Sequence, residues 1–145
     1  MGISDTTELA ILDLVFRAVT WTNYAVNATA SPETTITFAL HTADPGDAGT
    51  MATSESTYGS YARQTVARPA GFNAASAGAI TLAANLDFPS SGGAGTTITH
   101  FSSGHSGAAA SAQPILWSGD VSPTIPIGAA GVIPRLTAAT QFTLT

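Results

Sequence analysis

Three histidines, nine carboxylates and four arginines are the side chains here that could bind a metal, move a proton or hold an anion. His100 and His105 stand five residues apart, a spacing that puts them neither on one helix face nor on one side of a strand. A metal centre needs roughly three or four convergent ligands, which this pair with His41 does not promise. Asp44 and Asp47 could offer oxygens to calcium, but the surrounding segment lacks the dense acidic pattern of a calcium loop, and turn chemistry accounts for both. Gly104-His105-Ser106-Gly107 resembles a nucleophile elbow only in letters, since no strand-to-helix turn is predicted around it. Gly92 to Gly95 is followed by neither lysine nor a helix, so it is no phosphate cradle. None of the carboxylates has the aromatic and polar company that tunes a catalytic pair. The expectation is a protein with no catalytic residues, no cofactor and no metal. Trp21, Tyr24, Tyr58 and Trp117 could line a carbohydrate platform; Trp117 falls in a predicted strand and is expected in the core, whereas Trp21, just after the first helix, could serve either way.

Arg63 is the most informative of the charged residues. It follows the longest polar loop, 42 to 60, in a chain with no lysine. A connection of that length without regular structure is uncommon inside a compact domain. One planar guanidinium with five N–H donors can satisfy such a loop. Arg63 is therefore read as a loop anchor, sharing a strand face with Tyr61, with Asp44, Asp47 and Glu55 as the acids nearest in sequence. Asp44-Pro45-Gly46 reads as a tight turn within the same device: proline presets φ, and glycine accepts the positive φ that follows.

The elements that must position these residues change period along the chain. Ser4 or Asp5 can cap a helix over about 5–19, with Glu8 placed as in a capping box and Leu9, Leu12, Phe16 and Val19 at helical spacing. Its apolar face is expected to pack on the domain's own sheet. From residue 35 the period becomes two: Ile36, Phe38 and Leu40 point to the core and Thr35, Thr37 and Ala39 away from it. Further short runs at 61–67, 79–83, 97–101, 114–117, 122–127 and 141–145 are separated by glycine, proline, serine and asparagine. The pattern predicts a mainly β chain of one domain, 1–145: a small antiparallel β-sandwich or barrel with one N-terminal helix.

Only 9% of the residues are charged, while 44% are hydrophobic. A soluble surface usually carries about 25–35% charged residues, so part of this one is expected to lie against neighbouring protein in a homo-oligomer, a trimer or a dimer, with the trimer favoured. The net charge of −5 argues against a nucleic-acid partner. The apolar run near the N-terminus contains Asp5, Glu8, Asp13 and Arg17, unlike a signal peptide or membrane span. With no cysteine, disulfides and thiolate sites are excluded.

Several stretches resemble one family across nearly the whole chain. The helix Leu9-Ala10-Ile11-Leu12-Asp13-Leu14-Val15-Phe16, the strand and turn Ala39-Leu40-His41-Thr42-Ala43-Asp44-Pro45-Gly46, and Tyr61-Ala62-Arg63-Gln64 are similar to small virion proteins of tailed bacteriophages. Members are labelled tail-fibre-like or head-decoration proteins. The later order agrees too: Phe88-Pro89, Gly95-Thr96-Thr97-Ile98-Thr99-His100-Phe101, Gly119-Asp120 and Ile125-Pro126. Ala94 stands where such proteins often carry tryptophan. The resemblance implies a structural protein of the virion, made in the host cytoplasm. The favoured expectation is a cement protein on the capsid surface, bound to the major capsid protein or another virion protein. The alternative is a tail, baseplate or tail-fibre component with a receptor-binding role, and a glycan-binding module comes third.

Overall fold

The computed structural model describes residues 4–26, 32–105 and 112–144, with the backbone alone at His105. It is mainly β, with one helix and open antiparallel sheets; no closed barrel forms among the described residues, which fits the small sandwich with one helix. Chain contacts divide into two compact units: 1–34, 67–85 and 137–145 in the first, 35–66 and 86–136 in the second.

In the first unit, α1 (Asp5–Arg17) presents Leu12 and Phe16, both fully buried. Phe16 packs edge-on against Phe72, ring centroids 5.1 Å apart, and lies tilted by 34° against Phe142 at 4.8 Å. Phe142 belongs to β8 (Gln141–Thr143), which pairs antiparallel with β3 (Ala79–Thr81). The i, i+4 pair Leu12 and Phe16 thus seals the helix onto its own small sheet, as the spacing predicted. The helix stops earlier than its apolar spacing suggested. Ala18 turns left-handed at φ 56° and the Val19 N–H returns to the Asp13 carbonyl, a C-terminal cap that leaves Val19 41% exposed. The expected capping box is also absent. Ser4 is the N-cap but makes no side-chain cap bond, and Asp5 lies inside the first turn.

The last turn of α1 is fastened by two arginines. Arg17 meets Asp13 at 3.1 Å, and the same Asp13 oxygen accepts the Ala75 N–H. Arg68 donates to the carbonyls of Leu14 and Glu33, at 2.8 and 2.5 Å. Placing a cation on the exposed carbonyls of a helix C-terminus satisfies groups that the helix cannot.

In the second unit, a four-stranded sheet has the order β2-β1-β5-β6, with β1 at Thr35–His41, β2 at Gln64–Ala67, β5 at Ile98–His105 and β6 at Trp117–Ile125. β1 pairs with β5 from Ile36 opposite His105 to His41 opposite His100. A short ladder joins β4 (Leu86–Asp87) to β7 (Arg135–Leu136), where Arg135 forks onto Asp87. The runs expected at 114–117 and 122–127 resolve differently: β6 spans 117–125 without a break, and Pro114 makes only an isolated bridge to Thr50. Strand 61–67 begins only at Gln64.

β1 departs most from its sequence pattern, since every residue from Ile36 to His41 is buried. The expected solvent face of Thr37, Ala39 and His41 is closed by the 42–60 loop. Opposite Thr37 is Gly104, and a Cβ at that glycine would collide with the thioether of Met51. Met51, fully buried, packs on Ala39 and Ile115. Small residues on the sheet create a slot, and a flexible thioether from the loop fills it. Among the described residues no helix is long and apolar enough to cross a membrane.

Candidate functional site

β2 covers only part of one edge of β1, and the backbone of Leu40 shows how the uncovered end is satisfied. Its carbonyl accepts the Ser56 N–H at 2.8 Å. Its N–H is taken by the Tyr61 hydroxyl at 3.0 Å. A phenol oxygen and a piece of loop thus replace the missing strand, as buried backbone groups require. Tyr61 donates its own O–H to Glu55 Oε1 at 2.9 Å, and Arg63 grips the same carboxylate through Nε and Nη2, both at 2.7 Å. The pair is largely shielded, with side-chain exposures of 5% for Arg63 and 17% for Glu55. Burial pushes the Tyr61 phenol far above its ordinary pKa, so it stays protonated and can keep donating. The hydrogen bonds it donates to Glu55 hold the Arg63 guanidinium more firmly charged than usual.

His41, at the end of β1, ties the loop from the other face. Nδ1 lies 2.8 Å from the Thr53 carbonyl and Nε2 lies 2.7 Å from Ser102 Oγ. A carbonyl can only accept, so Nδ1 carries the proton and Nε2 accepts from Ser102 in the neutral ring. Burial lowers the pKa of this imidazole and favours that neutral form. Both residues have zero solvent exposure, so the Ser–His contact works inside the fold.

The sequence pointed to Tyr61, Arg63, Asp44, Pro45 and Gly46 together. Tyr61 and Arg63 do converge, on Glu55. Asp44 accepts the Gly46 N–H at 2.8 Å, an Asx turn, and Gly46 has φ 69°. The next closed turn runs from the Gly46 carbonyl to the Gly49 N–H. Asp44 to Gly46 shapes its own turn, while the Arg63 fork closes on Glu55. His41 and Ser102 were missed; the cue was a histidine at the end of an apolar strand facing a serine pair, too common a pattern to stand out.

Beside the Glu55–Arg63 pair lies an open cleft of about 620 Å³, walled by Ser56, Thr57, Tyr58, Ser60 and Tyr61 among others. Tyr58 and Tyr61 meet edge-on at 5.3 Å, and the Tyr58 hydroxyl donates to the Pro89 carbonyl. Burial raises the Tyr58 pKa to about 12. The cleft chemistry is hydroxyl-rich and its one charge pair is internally compensated. Of the Gly104–Gly107 segment, Ser106 and Gly107 lie outside the described residues. His100 faces Asp120 across β5 and β6 at 2.8 Å. Among the described residues no three metal-ligating groups converge.

The family model for the podophage GP4 fiber I protein gp80 matches residues 2–140. The chain belongs to that family. A gp80-family chain is a structural protein of the tailed-phage virion. No individually curated protein matches it. In the gp80-family chain described here, the match runs from the helix through both units and includes the whole Leu40–Tyr61–Glu55–Arg63 relay.

Proposed function

We propose that this chain is a fibre component of a tailed-phage virion, a compact module that takes its place against neighbouring copies and other virion proteins. The observation that carries the reading is the family match over residues 2–140, to a protein described as a fibre. A surface with only 9% charged residues supports it, because such a surface suits being covered. The relay around Glu55 supports it as well: Arg63 anchors a long loop as a fixed wall, which a load-bearing part needs and an induced-fit pocket does not. The module closes on itself as a trimer, a ring of head-to-tail contacts that leaves no open end.

The capsid-cement reading rests on the same composition and makes a different prediction about place. Negative-stain images of virions carrying a gold label on the C-terminus of this chain separate the two. Label confined to the tail is the expected result. Label spread over the shell overturns the fibre assignment in favour of cement. Light scattering of the isolated protein at tens of micromolar (about the range where weak interfaces remain visible) tests the trimer. A strict monomer there removes it.

A further inference from the structure

The end of the β1–β5 pair carries two histidines side by side. His41 on β1 lies directly opposite His100 on β5, and residues opposed in this way point to the same face of a sheet. The row continues in both directions. Glu55 of the 42–60 loop bridges to His41, and Asp120 of β6 lies opposite His100, its carboxylate 2.8 Å from Nε2. Glu55, His41, His100 and Asp120 thus stand in line, the two imidazoles in the middle and a carboxylate at each end. Only one end is open: side-chain exposure is 83% at Asp120 and 20% at His100, while His41 is fully buried.

The two rings differ in how they can hold a second proton. His100 donates from Nε2 to Asp120, and its Nδ1 meets the Thr99 hydroxyl at 2.9 Å. That ring can be protonated in place, with Thr99 turning from donor to acceptor. His41 has no such provision. Its nearest carboxylate, Glu55, is already committed to Tyr61 and to both arms of Arg63. Among the described residues, the charged and titratable groups around the His41 ring are Glu55 of the loop, Arg63 and Tyr61 just after it, His100 on β5 and, behind His100, Asp120 on β6. With His100 protonated, a His41 imidazolium has a cation on each side, Arg63 and His100, and no water.

Such a charge must reach solvent, and two walls stand in its way. One is the β1–β5 ladder, paired continuously from Ile36 to His41. The other is the loop, fastened to the end of β1 by separate bonds: His41 Nδ1 to the Thr53 carbonyl, the Thr42 N–H to the Ser54 carbonyl and the Ser56 N–H to the Leu40 carbonyl. The loop is the wall that opens at lower cost. We propose that His41 and His100 form an acid-operated latch on the 42–60 loop: when both rings are protonated, the loop lifts from β1 around Thr53 while the sheet beneath stays paired. Lifting withdraws Met51 from its place against Gly104 and Ala39 and uncovers that face of β1. It also dismantles the adjoining cleft, whose wall includes Ala52, Glu55 and Ser56. The latch operates the same way whether the particle carries the chain on its tail or its shell.

Hydrogen exchange of the full chain, read by mass spectrometry at about pH 7.5 and about pH 5, on either side of the ordinary histidine pKa, tests the latch. Rates are corrected for the intrinsic effect of pH on amide exchange. The expected result is a fall in the protection of segment 50–56 by about tenfold or more, equivalent to about one pKa unit of coupling, with segment 98–104 of β5 unchanged. His41→Gln removes most of that fall. His100→Gln removes part of it, because the second cation is then missing. Constant protection over 50–56 overturns the proposal. Equal losses in 50–56 and 98–104 overturn it too, since they mark unfolding of the sheet itself. So does a full fall retained in either variant, which assigns the effect to other groups. His100 is partly exposed, so His100→Gln keeps the test decisive even where His41→Gln fails to fold.

Discussion

Arg63 lies side-on against Glu55, with Nε on one carboxylate oxygen and Nη2 on the other, both at 2.7 Å. Glu55 is held in turn by its bridge to His41, so the fork joins the loop to the end of the central strand. Arg63→Ala leaves a shielded carboxylate with the Tyr61 hydroxyl as a remaining partner, and is expected to cost about 1–3 kcal/mol. Arg63→Lys recovers only part of it, because an ammonium cannot match two oxygens in one plane. Urea denaturation of the three proteins measures this. Equal midpoints for wild type and Arg63→Ala would remove the anchoring role.

Tyr61→Phe isolates a different link. The ring stays, and the Leu40 N–H loses its acceptor within a buried strand. The expected loss is about 1–2 kcal/mol, with faster amide exchange at Leu40 than at Phe38. Hydrogen exchange followed by NMR gives both readings at once.

His41 sets a pH dependence whose sign follows from its burial. Its folded pKa lies below the unfolded value of about 6.5, so the unfolded chain binds the extra proton first. Stability is complete above about pH 6.5 and declines as the pH falls from there toward the folded pKa. Melting temperatures taken from pH 7.5 to 5 should fall for the wild type and change less for His41→Gln. A parallel decline in both proteins would assign the slope to other groups.

Gly104→Ala pushes a methyl group into the Met51 thioether, with the Pro114 carbonyl 3.3 Å away on another side. Overpacking of this kind costs about 1–3 kcal/mol. Gly104→Ala combined with Met51→Ala removes the collision, so the pair should be less damaging than the sum of its parts. Strict additivity in thermal melts would mean that Met51 does not fill the Gly104 slot.

Much of this arrangement is legible in the residues, and the failures have physical causes. The Leu12–Phe16 spacing identifies the buried helix face, because i, i+4 neighbours stack on any helix. Strand β1 ends at His41 as its alternation says, yet its second face is buried. That burial comes from Met51, fourteen residues past Thr37, and no local period encodes a loop folding back. Ser118, Gly119 and Asp120 lie between the runs expected at 114–117 and 122–127, and pairing with β5 carries the strand through them. β4 and β7 each have two residues, too few for any period. Arg63 reads as an anchor from its place after a long loop. Choosing Glu55 over Asp44 as its partner required the His41 bridge, which only the folded chain supplies.

The engagement of the arginines limits where a trypsin-like protease can cut this chain. Trypsin cuts only after lysine or arginine, and this chain offers Arg17, Arg63, Arg68 and Arg135. Arg68 is followed by proline, which blocks the enzyme. Arg17, Arg63 and Arg135 each sit in an ion pair with a carboxylate. A protease must lift the arginine out of its pair and draw the backbone around it into an extended form, which requires local opening. With no lysine in the chain, cleavage at any of these three arginines waits on the opening of its ion pair.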